Sequence, residues 1–458
     1  MTQVIGSVAK YPARISFTVY AVFIALGTLV LWLPISGVTG RDPITLLDAL
    51  FTATSATCVT GLSVRSTGED FSYFGQAAIL VMIQVGGIGI MTITTYFTFG
   101  LGGRGSLRER RLIAETLGSG GREDLVWVLR NVLLATLLFE SAGALLLFLR
   151  NVQDMPAGPA VWHAVFHAVS AFCNAGFGLF DDSLVRYRGD LVVNFTICTL
   201  IMCGGIGFPV LLDMQRNLRS PGGIRFHRLK LHSKVMLIGT ALLVVFGSVS
   251  FLLIEWDDAL KNEPLSTKLL MSVFQSISTR TAGFNTVNMG TVTGATLFIM
   301  MLLMLVGAGP CSTGGGFKVS TASVLLMRAW ATFQGFTRVQ FFRRTVPGET
   351  VDRATASMIL YLVTATVGLF ALLMFEQSTG AHLGMKISFL AQAFEVVSAL
   401  GTVGLSTGIT SQFSATAQLI LVALMFLGRL GPFTVGVAIS QSERPQPVEY
   451  PADEPLIG

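Results

Sequence analysis

Charge is scarce in this chain. Asp, Glu, Lys and Arg supply 12% of its 458 residues, about half the share of an ordinary soluble domain, while 52% of the residues are hydrophobic. That balance excludes a large soluble core and points to a polytopic membrane protein. Paired cysteines are lacking too. Cys58, Cys173, Cys198, Cys203 and Cys311 form no CxxC and lie in apolar or glycine-rich stretches, which argues against a disulfide framework or zinc site. No HExxH, GxSxG or paired aspartate motif lies within any of the apolar stretches, so an intramembrane enzyme would lack its nucleophile, base or metal set there. His163 and His167 are four apart on one helical face, without the glutamate of a metalloprotease helix, and read as packing or hydration. No GxGxxG follows a strand, so the chain has no nucleotide fingerprint of its own. The segment MTQVIGSVAKYPARISF has no small-residue cleavage site, and the first apolar run reads as a retained span.

Glycine is plentiful, at 49 residues, and part of it is periodic. SATCVTGL (55–62), SAFCNAGF (170–177), STRTAGF (278–284) and SALGTVGL (398–405) each close on Gly followed by Leu or Phe. The four glycines are Gly61, Gly176, Gly283 and Gly404, spaced by 176−61=115, 283−176=107 and 404−283=121. That period is too long for a solenoid unit and fits a small helical bundle repeated four times about an axis. A second landmark follows each: QVGGIGI (84–90), MCGGIGF (202–208), VGAGPCSTGGG (306–316) and LGRLGPF (427–433). Its first glycine comes 86−61=25, 204−176=28, 307−283=24 and 428−404=24 residues later. Small residues of this kind also let helices pack closely in lipid, a reading that suits the GGIG pairs better than the loop around 309–316.

Eight apolar runs are long enough to span a bilayer: 15–36, 76–100, 125–149, 190–212, 234–254, 294–327 (interrupted), 355–375 and 416–440. Four shorter runs, 44–57, 159–172, 265–278 and 386–400, precede the glycine segments and are too short to span. The expected fold is an all-α membrane protein: four M1-P-M2 units (span, pore helix, filter loop, span) around a pseudo-fourfold central pore. The units run over 11–112, 113–218, 219–345 and 346–440, with a Pro-rich, extended tail at 441–458.

Lys and Arg set the orientation. Arg104, Arg108, Arg110, Arg111 and Arg122, then Arg216, Arg219, Arg225, Arg228, Lys230 and Lys234, then Arg328, Arg338, Arg343, Arg344 and Arg353 crowd the loops between units. The loops around the glycines are poorer, with Arg41 and Arg65, Arg186 and Arg188, Lys261, Lys268 and Arg280, and Lys386. The inter-unit loops and both termini are therefore placed in the cytoplasm, and the glycine loops open to the outside of the cell membrane. The basic loops read as topology signals and not as a nucleic-acid surface.

Irregular backbone at membrane depth is tolerated where it is buried or lines a wet cavity, so the glycine loops argue for a cation path lined by carbonyl oxygens. Glycine reaches backbone angles closed to other residues and leaves the path open. The candidate filter residues are Thr57, Cys58, Val59, Thr60 and Gly61; Cys173, Asn174, Ala175 and Gly176; Thr281, Ala282 and Gly283; and Thr402, Val403 and Gly404. Thr57, Thr60, Asn174, Thr279, Thr281 and Thr402 are expected to brace the loops by hydrogen bonds. Each short helix aims its partly negative C-terminus at its loop, which favours a cation without a buried carboxylate.

STRTAGFN (278–285), GPCSTGGGFK (309–318), FEVVSALGTVGLSTG (394–408) and GRLGPF (428–433) together resemble the Trk/Ktr/HKT potassium transporter superfamily, over nearly the whole chain. Eight spans without two extra N-terminal ones are most similar to the KtrB-type membrane subunit. The resemblance implies K⁺ uptake commonly assisted by Na⁺, a homodimer, and a cytosolic ring of nucleotide-binding RCK domains. It places the filter glycines at Gly61, Gly176, Gly283 and Gly404. Sodium-selective relatives carry Ser at the first of these, so Gly61 favours K⁺ over the alternative of a Na⁺-permeable or weakly selective pore. It maps an intramembrane gating loop onto Gly307, Gly309, Pro310, Cys311, Ser312, Thr313, Gly314, Gly315 and Gly316, with Cys311 where many relatives have Gly. The implied ligands are K⁺ and Na⁺, with no covalent cofactor.

Five further charges need placing. Arg429, at mid-span, reads either as a positive plug touching the 309–316 loop or as one half of a salt bridge to Glu140, Asp213 or Glu395. Lys318 reads either as a donor to loop carbonyls or as a snorkelling side chain. Arg280 is expected to turn away from the ion and pair with Asp48 or Glu395. Glu140 and Glu395 otherwise read as helix-to-helix hydrogen-bonding groups.

Overall fold

The computed structural model describes residues 12–100, 125–218, 225–342, 344–380 and 388–431. Arg104 to Arg122, Arg219, Arg343, Lys386, the last two residues of GRLGPF and the 441–458 tail lie outside the described residues. Among the described residues are fourteen α-helices and one small antiparallel hairpin, β1 (Gln340–Phe341) with β2 (Arg344–Thr345).

The helices follow one order four times. A first set holds α1 (Pro12–Trp32), α2 (Leu46–Thr57) and α3 (Tyr73–Gly100). A second holds α4 (Leu125–Asn151), α5 (Ala157–Phe172), α6 (Leu191–Gly205) and α7 (Phe208–Leu218). A third holds α8 (Leu231–Ile254), α9 (Leu265–Ser278), α10 (Gly294–Leu305) and α11 (Val319–Phe333). The fourth holds α12 (Gly348–Gly380), α13 (Phe389–Gly401) and α14 (Ala415–Leu430). The short apolar segments are thus the short helices α2, α5, α9 and α13.

Polar caps start these helices where the chain turns inward. Thr45 and Asp48 form a capping box on α2, Thr45 Oγ1 accepting from Asp48 N at 3.1 Å and Asp48 Oδ2 from Thr45 N at 3.2 Å. Asp190, Thr293 and Ser414 cap α6, α10 and α14 through N–H groups three residues on. In the third set the end of one long helix also holds the start of the next. Glu255, fully buried, accepts from Thr293 N at 2.9 Å, Thr293 Oγ1 at 2.8 Å and Ala259 N at 3.3 Å. Glu255→Ala should therefore lower unfolding stability by about 2–4 kcal/mol, because several buried donors lose their acceptor; thermal unfolding in detergent reads this, and an unchanged midpoint would refute it.

Packing closes the four sets into a ring. Each short helix packs within its own set and also against the third helix of the preceding set: α5 on α3, α9 on α6, α13 on α10, and α2 back on α14. Glycine makes three of these helices fit tightly. A Cβ at Gly86, Gly204 or Gly428 would run into the carbonyl oxygen of Thr57, Phe172 or Leu400. Those carbonyls stand 61−57=4, 176−172=4 and 404−400=4 residues before their periodic glycines. Outward, Leu138, Leu253 and Phe370 are each two-thirds exposed or more, part of an apolar outer face.

Two expected spans are broken. The 190–212 run bends by 102° between α6 and α7. Gly207 at φ +98° makes the turn, and Pro209, lacking an N–H, cannot continue the α6 ladder. The 294–327 run opens into a loop between Leu305 and Val319. Among the described residues, three helices are long and apolar enough to cross a membrane, or four if the bent pair counts as one span. The expectation of eight exceeds this. The remaining apolar helices are shorter over the side chains described, including Phe17–Trp32, Tyr73–Gly89 and Ala415–Leu430.

Candidate functional site

The four short helices end three to five residues before Gly61, Gly176, Gly283 and Gly404, and bring these glycines together. All four have left-handed backbone, with φ of +94°, +70°, +80° and +91°. They meet in cyclic order. A Cβ on Gly61 would strike Ala175 O, one on Gly176 would lie 2.8 Å from Ala282 O, one on Gly283 2.5 Å from Val403 O, and one on Gly404 would strike Thr60 O. Each glycine thus abuts the carbonyl just before the next glycine, and the fourth returns to the first. On one side the ring bounds a cavity of about 580 Å³ whose lining includes all four glycines.

Two residues before each glycine the backbone is left-handed again: Val59 at φ +56°, Asn174 at +58°, Thr281 at +68° and Thr402 at +49°. None of these is glycine, and a β-branched Val in that region is an outlier that only the surrounding fold can impose. The braces are serines. Gly61 N donates to Ser55 Oγ and Gly404 N to Ser398 Oγ, both at 3.1 Å. Ser170 Oγ donates to Phe177 O at 2.7 Å, and Ser278 Oγ donates to Phe284 O. Sequence reasoning passed over these serines, although each begins one of the four quoted segments. The threonines expected to brace do less. Thr279 Oγ1 bonds locally to Ser276 O at 2.7 Å, and the buried hydroxyls of Thr57, Thr60 and Thr402 have no partner among the described residues. Their hydroxyls are enclosed where the serines already hold the loops.

The 306–318 loop fills the side of the ring away from the cavity. Gly307 N donates to Phe317 O at 2.7 Å, closing its base. A Cβ on Gly314 would strike Thr281 Oγ1, and one on Gly315 would strike Thr402 Oγ1. The Asn174 amide lies 3.4 Å from both Thr281 Oγ1 and Thr313 Oγ1. The loop therefore sits directly against the residues that precede the ring. It is also sewn to the bend in the second set: Gly309 N donates to Gly205 O at 2.8 Å, Thr313 N to Gly204 O at 3.2 Å, and Phe208 N to Cys311 O at 3.0 Å. Pro310 O faces Gly207, where a Cβ would come within 2.5 Å. Ser312 Oγ donates to Gly309 O at 2.6 Å inside the loop. Cys311 is left-handed at φ +53°, a conformation glycine takes without strain.

Two cations hold this loop. Lys318 Nζ donates to Gly314 O at 2.8 Å and Gly315 O at 3.2 Å, the carbonyl reading of that residue. Arg429, 3% exposed, donates from Nη1 to Thr313 O at 2.5 Å and from Nη2 to Gly86 O at 2.6 Å. It bridges the loop and α3 through carbonyls; among the described residues it forms no salt bridge to Glu140, Asp213 or Glu395.

A family model described as TrkH, cation transport protein, matches residues 22–448. The chain belongs to the TrkH family. The family is one of cation transporters and not of enzymes. The chain is 38% identical to the Ktr system potassium uptake protein B of Vibrio alginolyticus, over 94% of this chain and 91% of that protein. It is 35% identical to the Bacillus subtilis protein of the same description, over 100% and 99%, and 32% identical to a potassium/sodium uptake protein of Enterococcus hirae, over 98% and 97%. The crystal structure of the potassium transporter TrkH from Vibrio parahaemolyticus shares the fold, with a TM-score of 0.72 at 18% identity over 94% of this chain and 84% of that one.

Other charges of this TrkH-family chain fall differently from expectation. Arg280 is 8% exposed and pairs with neither Asp48 nor Glu395. Asp48 is taken by Arg65 at 3.1 Å, and Glu395 by the hydroxyls of Ser406 and Thr410, while Arg280 Nε has no partner among the described residues. Glu140 does bond between helices, accepting from Gln84 Nε2 at 2.9 Å. His163 and His167 stack at 5.8 Å between ring centroids, and among the described residues no group of His, Cys, Asp or Glu could hold a metal ion.

Proposed function

We propose that this chain is the potassium-translocating membrane subunit of a K⁺ uptake system of the Ktr kind. The single observation that carries the reading is the closed ring of four left-handed glycines, each abutting the carbonyl that precedes the next. Carbonyl oxygens held at a set radius replace the water shell of a monovalent cation without the trapping field of a full charge. Thr57–Gly61, Cys173–Gly176, Thr281–Gly283 and Thr402–Gly404 form the filter, and the 580 Å³ cavity is its outer mouth. Residues 307–316, with Lys318 and Arg429, form a gate against the filter's inner side. K⁺ runs down its electrochemical gradient, with Na⁺ assisting.

The same reading takes the four helix sets as M1-P-M2 units with boundaries at 11–112, 113–218, 219–345 and 346–440, eight spans in the cell membrane and both termini in the cytoplasm. The chain works as a homodimer on a cytosolic RCK-domain ring, whose nucleotide state moves the gate. An ungated K⁺ path would dissipate the membrane gradient, and the sequence carries no nucleotide fingerprint after a strand by which the chain could close itself. A Na⁺-permeable pore is the second reading, favoured by the description of the Enterococcus hirae relative and opposed by Gly61.

Flux in proteoliposomes decides between them. The chain alone should pass K⁺ and Rb⁺ well ahead of Na⁺ and Li⁺. With the ring added, flux should depend on ATP against ADP. Equal K⁺ and Na⁺ flux would replace the first reading by the second, and no cation flux in any arm would remove both.

A further inference from the structure

Behind the serines, three of the four short helices carry a second buried acceptor. His167, Gln275 and Glu395 stand 176−167=9, 283−275=8 and 404−395=9 residues before their glycines. Each takes the backbone N–H three residues after that glycine. Leu179 N donates to His167 Nε2 at 3.3 Å and Thr407 N to Glu395 Oε1 at 2.9 Å. Thr286 N donates to the Gln275 amide oxygen at 2.8 Å, in the orientation that faces this oxygen towards its donors, with Val287 N at 3.2 Å. The one-residue offset in the third set recurs at its serine, 283−278=5 against 176−170=6, so the two braces shift together.

The three side chains differ in every property but one. An imidazole, an amide and a carboxylate share only an acceptor facing the same N–H. His167 Nδ1 lies 2.7 Å from His163 O, which puts the ring proton on Nδ1 and leaves Nε2 to accept. Glu395 accepts further from Ser406 Oγ at 2.7 Å and Thr410 Oγ1 at 2.8 Å. All three residues are buried. The first set lacks the device. Its corresponding position, 61−9=52, is Thr52, whose Oγ1 is buried with no partner among the described residues.

We infer that His167, Gln275 and Glu395 are positioning residues for ion selectivity, clamping the strand that leaves the glycine ring in three quarters while the first quarter goes unclamped. This rests on reading the ring as a filter. A ring that can shrink accommodates a smaller cation, so whatever fixes the strands on its outer side helps fix its radius. The clamp acts through the backbone of residues 177–179, 284–286 and 405–407 and touches no ion.

The test compares Glu395→Ala and His167→Ala with Glu395→Gln, Thr52→Ala and the unmodified protein, all as full chains in proteoliposomes. Each clamp removed should lower the K⁺/Na⁺ flux ratio about tenfold, the scale of one buried hydrogen bond lost. Glu395→Gln, which keeps an acceptor oxygen, should restore most of the ratio, and Thr52→Ala should leave it unchanged. Hydrogen exchange on the unmodified protein needs no variant: the amides of Leu179, Thr286 and Thr407 should exchange more slowly than that of Val64. Wild-type ratios in folded Ala variants, an equal fall in Thr52→Ala, or no excess protection at the three amides would overturn the clamp. An unmodified protein that does not discriminate K⁺ from Na⁺ would instead overturn the filter on which it rests.

Discussion

Gly61→Ser should cut the K⁺/Na⁺ flux ratio by about tenfold or more. Two costs coincide there. At φ +94° an L side chain is strained, by about 1–2 kcal/mol. The new Cβ would also press on Ala175 O, a carbonyl of the next quarter. Either the serine or that oxygen must move, and each 1.4 kcal/mol of altered ion coordination is about tenfold in relative affinity. The damage is therefore expected at the junction of two quarters and not inside the first alone. Paired K⁺ and Na⁺ flux on folded, reconstituted protein measures it; an unchanged ratio would remove Gly61 from the filter.

Arg429→Ala should raise K⁺ flux in the closed state, by about tenfold or more, and removal of residues 311–315 should act in the same direction. The guanidinium makes two charge-assisted bonds, to Thr313 O in the loop and Gly86 O on α3, each worth about 1.5–3 kcal/mol. Gly86 O keeps a second partner, Tyr20 Oη at 2.9 Å, so the loss falls chiefly on the loop. On the proposed reading, the substitution also takes a positive charge from the cation path. Flux without the ring or nucleotide reads the effect. Closed-state leak equal to wild type in both variants would place the barrier elsewhere.

The glycine ring was legible in sequence because its backbone demands glycine and the demand recurs at a near-constant spacing. Helix order was legible for a similar reason, since long and short apolar runs alternate at membrane-related lengths. The left-handed positions two residues before each glycine were not. Val59, Asn174, Thr281 and Thr402 include no glycine and no one residue type in all four places, and their conformation comes from the packing around them. Partners of buried charges were equally hidden. Arg429 was expected to face either a carboxylate or the loop; it meets the loop at Thr313 O, and its second partner, Gly86 O, is one that only the folded ring brings within reach. Among the described residues Arg280 forms no ion pair, and Asp48 and Glu395 are each satisfied by nearer neighbours. The bend after Gly205 had a signal in Gly207 and Pro209, overlooked within an otherwise continuous apolar run.

That bend has a mechanical consequence. In an unbroken helix Gly204 O would accept from Phe208 N, and Gly205 O would face Pro209, which has nothing to donate. Because the helix turns, both oxygens and the Phe208 amide are free to grip the 306–318 loop. Latch and keeper thus lie on separate stretches of chain, about a hundred residues apart in sequence (309−205=104). The loop cannot swing aside without releasing the elbow or dragging it along. If the loop is the gate proposed above, a leaky phenotype can originate at residues 204–209 as readily as in the loop, and a search for gate variants confined to 307–316 would see half of the lock.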